Sequence, residues 1–436
     1  MRPMIPIAIR ADARYRIVGE SRIVELLVLC GWAREAQRGE GEAAAQAVAV
    51  ALDRWIGAGL PFARSQDSER RFDPAEIINF MKYIALRDGD PFWEERFVAT
   101  ARALTLEFHS LESTSGAPPS PASLRGERFS VTLRREFDLG NAQAGARTLL
   151  RLPLPLEDHA LRDLRISTLA PPDVDVDFTI EPGRLDARLS AVPGRAITLG
   201  VHVSFTAYPT LPDAPASPLA ASEVDLYTRP SEGLIKVSPR IRALAAELAG
   251  AERDPWKVVR RFWNFMLDEL TIGVLHYDEL DPSNPTDRVL ETGWFDCQLG
   301  SALLIALCRA RNIPARMSSG YLLYSANPGQ HYWLEIWTDA RGWFPIDTIS
   351  SDLSVRGRDT LWRDYFFGCL DYRMKTQCLP RLFNQNPGMP FPPAWHVLTR
   401  AADEGIEIGF FANDSGALVY RDRVSVRRGD GATTRE

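Results

Sequence analysis

The chain has 436 residues, a formal net charge of −6, 45% hydrophobic residues and 25% charged residues. That balance is ordinary for a globular protein, and the length suggests two to four domains with ample core. A net negative charge without a basic block or stacking motif argues against a nucleic-acid partner. No apolar run approaches the roughly 18 residues of a transmembrane helix, so no membrane partner is expected.

Residues 1–115 read as a mostly helical region. Residues 23–30 are apolar but short, interrupted by Glu25 and preceded by charges of both signs. They do not read as a signal peptide, and the expected location is cytoplasmic. Residues 42–56 are alanine-rich with helical periodicity, and Asp73-Pro74 opens a further helix with proline in its first turn. The stretch 114–123, rich in Pro and Ser, is a linker by composition. A small β-sandwich is expected over 124–210. Residues 173–180 alternate apolar with acidic or hydroxyl side chains, residues 197–205 do so less cleanly, and Pro182-Gly183 and Pro193-Gly194 supply turns. A second Pro-rich joint spans 209–218. A core over 225–380 then begins with two helices. One runs from Ser238-Pro239 to Gly250; the next starts at Asp254-Pro255 and places Val258, Val259, Phe262, Phe265 and Met266 on one face. Residues 381–436 read as a C-terminal extension with two or three strands over 405–427 and a polar, frayed end.

Chemistry concentrates in the core. Cys297 follows a Gly-Trp-Phe-Asp turn and opens an apolar run in which Leu299, Leu303, Ala306, Leu307 and Ala310 recur at helical spacing. The spacing predicts a helix from Cys297 to about Arg311, ended by Asn312-Ile-Pro314. A cysteine at a helix N-terminus meets free N–H groups and the helix dipole, which stabilise a thiolate and could donate to an oxyanion. Cys308 falls inside the same helix and reads as core filler.

The phrase His331-Tyr-Trp-Leu-Glu-Ile-Trp337 alternates as a strand. Tyr332, Leu334 and Ile336 face the core, whereas His331, Trp333, Glu335 and Trp337 line a groove. A turn at 339–342 leads to a second strand that carries Asp347 towards His331. A carboxylate there would fix the imidazole tautomer and stabilise the imidazolium. A thiol, an imidazole and a carboxylate in this order are the parts of a cysteine nucleophile with its base and its orienter. Trp294, Trp333, Glu335 and Trp343 are the candidate substrate-binding residues beside Cys297, His331 and Asp347. Cys369 and Cys378, with His396 further on, match zinc spacing poorly, and no Gly-rich phosphate loop is present. No metal and no cofactor are expected. His276 reads as a loop or rim residue. The five cysteines are odd in number and sparsely spaced, which fits a reducing compartment.

These phrases resemble the transglutaminase-like superfamily of papain-type cysteine enzymes, in its bacterial form. The resemblance rests on Cys297 opening a helix, Asn312-Ile-Pro-Ala-Arg316, Ser319-Gly-Tyr321, His331-Tyr-Trp333 with Glu335, and Gly342-Trp-Phe-Pro-Ile-Asp347. Asn312 stands where the family usually has glycine, and Tyr332 where it has alanine. Residues 227–235 and 365–373 resemble the family's lead-in and its downstream segment. The resemblance covers about 225–378 and implies an α+β fold: a papain-like core of helices packed on an antiparallel sheet, preceded by the β-sandwich and the helical N-terminal region. It implies Cys297 as nucleophile, His331 as general base and acid, and Asp347 as orienter, with no calcium requirement because the acidic loops of calcium-dependent members are absent.

The expected activity is acyl transfer through a Cys297 thioester that forms or exchanges an amide bond, with a carrier protein as one candidate acyl donor. The reason for favouring an amine acceptor is an aromatic, dry channel made by Trp294, Trp333, Trp337 and Trp343. The rival within the same class is a cysteine protease or amidase, with an acyl or peptide substrate. The rival of another class is a non-catalytic binding module on the same fold.

Overall fold

The structure, a computed structural model, describes residues 18–21, 24, 42–57, 62–64, 70–72, 125–138, 147–190, 196–211, 218–272, 280–281, 283–323, 329–353, 360–378, 399–401, 404–413 and 416–429. It divides into two units, Met1–Pro91 and Phe92–Glu436. The expected helix at Asp73, the linker at 114–123, the Pro193-Gly194 turn, His276 and His396 lie outside the described residues.

In the first unit, strands β1 (Val18–Gly19), β2 (Ala63–Arg64) and β3 (Arg70–Phe72) form an antiparallel sheet in the order β1-β3-β2. The alanine-rich helix α1 (Glu42–Gly57) buries Val48 and Leu52. Arg70 pairs with Glu20 and, at 2.6 Å, with Asp53 on α1. The sheet was not legible because strands of two or three residues carry no period.

The second unit opens with a β-sandwich. Its strands are β4 (Glu127–Asp138), β5 (Arg147–Pro153), β6 (Leu161–Leu169), β7 (Asp177–Glu181), β8 (Arg184–Ser190) and β9 (Ala196–Ala207). Alternation makes the inner faces: Phe129, Val131, Leu133 and Phe137 of β4 are buried with Leu150, Leu152, Leu185, Ala187, Val201 and Val203. Strand β7 starts at Asp177 rather than at 173. Val174 donates to Pro171 O in a turn, and Val174 and Val176 still pack on the sandwich core, so the alternating pattern is met without strand pairing. The C-terminal strands do not form an extension. Strands β18 (Thr399–Ala401), β19 (Glu404–Asn413) and β20 (Gly416–Arg428) continue the larger sheet, whose order is β18-β19-β20-β4-β9-β6, with β5-β8-β7 opposite. Strand β20 pairs with β4 from Val419↔Asp138 to Arg428↔Phe129.

The core lies between these pieces of the sandwich in sequence. Its elements are α2 (Ala221–Thr228), β10 (Ser231–Glu232), β11 (Ile235–Lys236), α3 (Pro239–Ala249), α4 (Pro255–Glu269), β12 (Thr271–Ile272), α5 (Asp287–Thr292), β13 (Trp294–Phe295), α6 (Cys297–Arg309), β14 (Ala315–Leu322), β15 (Gly329–Thr338), β16 (Gly342–Ile346), α7 (Thr348–Leu353), α8 (Thr360–Tyr365) and β17 (Arg373–Cys378). Both expected helix starts are present. Ser238 accepts from Ile241 N at the head of α3, and Asp254 accepts from Trp256 N at the head of α4. Residues 298–309 of α6 are all buried, as befits a helix that is apolar nearly all round. It packs on β14 and β15 and is flanked by α3 and α4. The sheet order is β16-β15-β14-β17, antiparallel throughout. The fold is therefore α+β, with helices on one antiparallel sheet.

Two family phrases acquire a physical reason here. Asn312 has φ +56°, and Ile313 N donates back to Cys308 O, so the residue after α6 must be left-handed. Asparagine tolerates that region better than other side chains, which is why it can replace glycine. At the other end of the lead-in, Glu232 of β10 meets Arg309 at 2.7 Å, while Arg309 also donates to Arg229 O and Ala315 O. This ties the lead-in hairpin to the end of α6.

Strand β17 joins the two halves of the unit. Leu156 N donates to Lys375 O at 2.8 Å, Tyr372 Oη donates to Arg125 O at 2.7 Å, and Thr210 and Leu370 exchange both backbone bonds. Tyr321, Leu323, Tyr372 and Met374 belong to the sandwich core. On its other side β17 meets β14 with a register shift between Ser319 and Gly320. A Cβ on Gly320 would lie 1.9 Å from Met374 O. Gly320→Ala must push β17 off β14 and should cost at least ~1–3 kcal/mol. Chemical denaturation monitored by tryptophan fluorescence should show the loss, and an unchanged midpoint would contradict the close approach.

Candidate active site

Asp296 sets the start of α6. Its backbone is extended, and Oδ1 accepts from Gln298 N at 3.0 Å and Leu299 N at 2.7 Å. Cys297 is therefore the first residue of the helix, half-buried against the core. Of the amides expected to serve a thiolate or an oxyanion, those of 298 and 299 are held by Asp296, and Gly300 N donates to Asp296 O. Gly300 lets the first turn lie against β13, since a Cβ there would be 2.5 Å from the Phe295 ring. Helix α6 packs on β15, the strand that carries His331.

The imidazole and carboxylate meet as the hairpin predicts. Residues 339–341 turn the chain, Gly342 takes φ +68°, and Leu334 pairs with Ile346. His331 Nε2 lies 2.8 Å from Asp347 Oδ2, both side chains being buried. Asp347 sits one residue beyond β16 and caps α7, where its Oδ1 accepts from Ser350 N at 2.9 Å and its Oδ2 from Ser350 Oγ at 2.8 Å. The residue is thus both a helix cap and a partner of the histidine.

A third group completes this cluster. Arg373 Nη1 lies 2.6 Å from Asp347 Oδ2, and Arg373 Nε donates to Asp371 Oδ1 at 2.8 Å. Arg373 and Asp371 are 4% and 0% exposed. The segment 365–373 delivers them. Asp347 N donates to Phe366 O, Gly368 N donates to Pro345 O, and Ile346 bridges Phe367. Burial alone would raise the Asp347 carboxyl, but the charges of His331 and Arg373 prevail and hold it well below the usual carboxylate range. Sequence reading quoted this segment for its resemblance and gave Arg373 no task. The signal was there: an acid and an arginine two residues apart in an apolar run need buried partners.

The remaining candidates are differently placed. Trp333 is buried, 6.5 Å from the His331 ring centroid and nearly parallel to it, with the Arg373 guanidinium 5.5 Å from its own centroid. It supports the imidazole from within the core. Glu335 is buried between Arg316, at 2.6 Å, and Lys375, at 3.1 Å, and Lys375 reaches on to Asp158 of the sandwich at 2.8 Å. Its carboxylate serves this network. Trp343 is half-buried, edge-on to Tyr227, with the Arg316 guanidinium 4.0 Å from its ring centroid. Trp337 packs edge-on to Trp343 and donates to Asp339. This aromatic group is at the far end of β15, about 20 Å from His331 at the usual rise per residue. It lies away from the His331 end of the strand. The Trp294 backbone pairs with Thr271, and its side chain lies outside the described residues. Cys308 and Cys378 are deep enough that burial pushes both thiols up, and Cys369 is pushed up to about 11.

Glu335 yields a prediction with a sign. Burial raises its carboxyl, but Lys375 and Arg316 outweigh burial and lower it from 4.5 to about 2. A depressed folded value means stability that is present above about 4.5 and lost as pH falls through about 2. Glu335→Gln should therefore flatten the decline of stability across that acid window. At neutral pH it should destabilise by ~3–5 kcal/mol, because two buried cations lose their partner. Urea denaturation at several pH values reads both effects.

Residues 242–348 match the family profile described as the transglutaminase-like superfamily. No relative was found among curated proteins. Among solved structures, a candidate cysteine protease from Cytophaga hutchinsonii is 15% identical, with a TM-score of 0.44 over 70% of this chain and 92% of that one. The periplasmic domain of TgpA from Pseudomonas aeruginosa is 18% identical, with a TM-score of 0.30 over 55% and 93%. A candidate protease from Parabacteroides distasonis is 10% identical, with a TM-score of 0.23 over 68% and 70%. The matched stretch runs from within α3 to the start of α7 and includes Cys297, His331 and Asp347, so this part of the chain is similar to the transglutaminase-like superfamily.

Proposed function

We propose that the protein is a cysteine acyltransferase or amidase that works through a thioester on Cys297. The observation that carries the reading is the buried His331–Asp347 pair on the strand against which α6, headed by Cys297, is packed. With Nε2 engaged by Asp347, Nδ1 is the ring nitrogen left to take the thiol proton. The thiolate adds to an acyl carbon, and the imidazolium returns the proton to the departing group. The Cys297–acyl bond then breaks when an acceptor adds, with Nδ1 taking the acceptor's proton. An amine acceptor gives an amide, and a carrier-protein thioester remains one donor of suitable chemistry. Water gives hydrolysis. The aromatic channel that favoured an amine is not formed by Trp337 and Trp343, so hydrolysis of a peptide or amide stands beside amide formation.

Mass spectrometry after incubation with activated acyl donors should show one acyl adduct on Cys297, which Cys297→Ala abolishes and Cys308→Ala retains. An adduct that persists in the Cys297 variant would overturn the assignment. Adding hydroxylamine or a primary amine separates the acceptors: a synthase diverts the acyl group to the amine, whereas a hydrolase keeps yielding acid.

Asp347→Asn should keep the helix cap but favour the wrong imidazole tautomer. Deacylation should slow by about 10²–10⁴-fold. An unchanged rate would show that His331 is oriented by another group.

A further inference from the structure

Asp347 Oδ2 accepts from Ser350 Oγ at 2.8 Å, lies 2.8 Å from His331 Nε2, and forms an ion pair with Arg373 Nη1 at 2.6 Å. The acceptor sites of Oδ2 thus serve His331 and Ser350, while Arg373 acts on the same oxygen by its charge. Arg373 is a permanent cation, whereas His331 carries charge only when protonated. Arg373 is itself balanced by Asp371 at 2.8 Å and steadied by Ser350 Oγ at 3.3 Å and the face of Trp333. Among the described residues, the other titratable groups bordering the cluster include Tyr365 of α8 and Cys369. Burial and Asp371 push Tyr365 up, and burial pushes Cys369 up to about 11, so both are neutral at working pH. The charges around the imidazole are then an alternating row: His331, Asp347, Arg373 and Asp371.

We propose that Arg373, balanced by Asp371, is a positioning residue for the cysteine chemistry: it fixes the Asp347 carboxylate that orients His331 and adds a positive charge that favours the Cys297 thiolate. This rests on the Cys297 and His331 roles above. Holding the carboxylate with a second cation keeps it aimed at His331 Nε2, and the added positive charge favours a thiolate over a thiol. Asp371 sets how much of the Arg373 charge reaches the site. Opposite effects follow from removing the two partners, because one deletes a positive and the other a negative charge.

The test is the pH dependence of iodoacetamide alkylation of Cys297 in the full chain, followed by mass spectrometry without any acyl substrate. Asp371→Asn leaves Arg373 less compensated and should lower the alkylation midpoint by about one pH unit. Arg373→Met should raise it by a similar amount, and Arg373→Lys, which keeps the charge, should restore it to near the wild-type value. A residue of purely structural importance would alter thermal stability without opposite shifts. If Arg373→Met does not fold, the downward shift in Asp371→Asn and the value in Arg373→Lys still decide. A midpoint unmoved or raised in Asp371→Asn overturns the proposal. A wild-type profile with no activated thiol rejects the proposed Cys297–His331 pairing itself, and this proposal with it.

Discussion

Taking the Asp347 carboxylate out of water costs several kcal/mol unless protein groups replace the lost solvation. The side chain is 0% exposed, and the surrounding structure is arranged to meet that cost. The end of β16 brings the residue in, α7 begins on it so that Ser350 can donate twice, and the segment 365–373 doubles back to supply Arg373. His331 is one partner among several. The cluster is therefore built from three stretches that are separate in sequence, and none of them makes the site alone.

Strand β17 then ties that cluster to the rest of the unit. It starts at Arg373, closes the core sheet against β14, and presents Lys375 to both Glu335 and Asp158. The bulge at Gly320 allows β17 to lie closer to β14 than any side chain would permit. Because Tyr372 and Met374 are also part of the sandwich core, a shift of the sandwich against this strand would be felt at Arg373. The sandwich is a structural floor for the site rather than a separate appendage.

Local signals were the ones that reading the sequence recovered. The caps of α3 and α4, the cysteine at the head of α6, the hairpin that joins β15 to β16, and the meeting of His331 with Asp347 all follow from residues close together in the chain. Alternation misled at β15. It put Trp333 and Glu335 on a groove, but both faces of that strand are covered, so one side carries helices and the other carries a buried ionic network. Period two reports sidedness, and a doubly buried strand has none. The amides at the head of α6 were expected to be open because the helix start was legible, while the Asp296 side chain that holds those of 298 and 299 belongs to the turn before it. The role of Arg373 and the joining of β20 to β4 depend on contacts between distant segments, for which a single sequence carries no local mark.

The pairing of β20 with β4 has a consequence for how the chain assembles. The two strands are about 300 residues apart, and the whole core lies between them. During synthesis β4 emerges early and pairs with β9, yet its other edge stays open until β20 arrives. The loop to be closed is long, but its entropic cost grows only logarithmically, and a core already folded shortens the effective span. The larger sheet is thus completed last, and until β20 arrives the open edge of β4 is exposed to pairing with other chains.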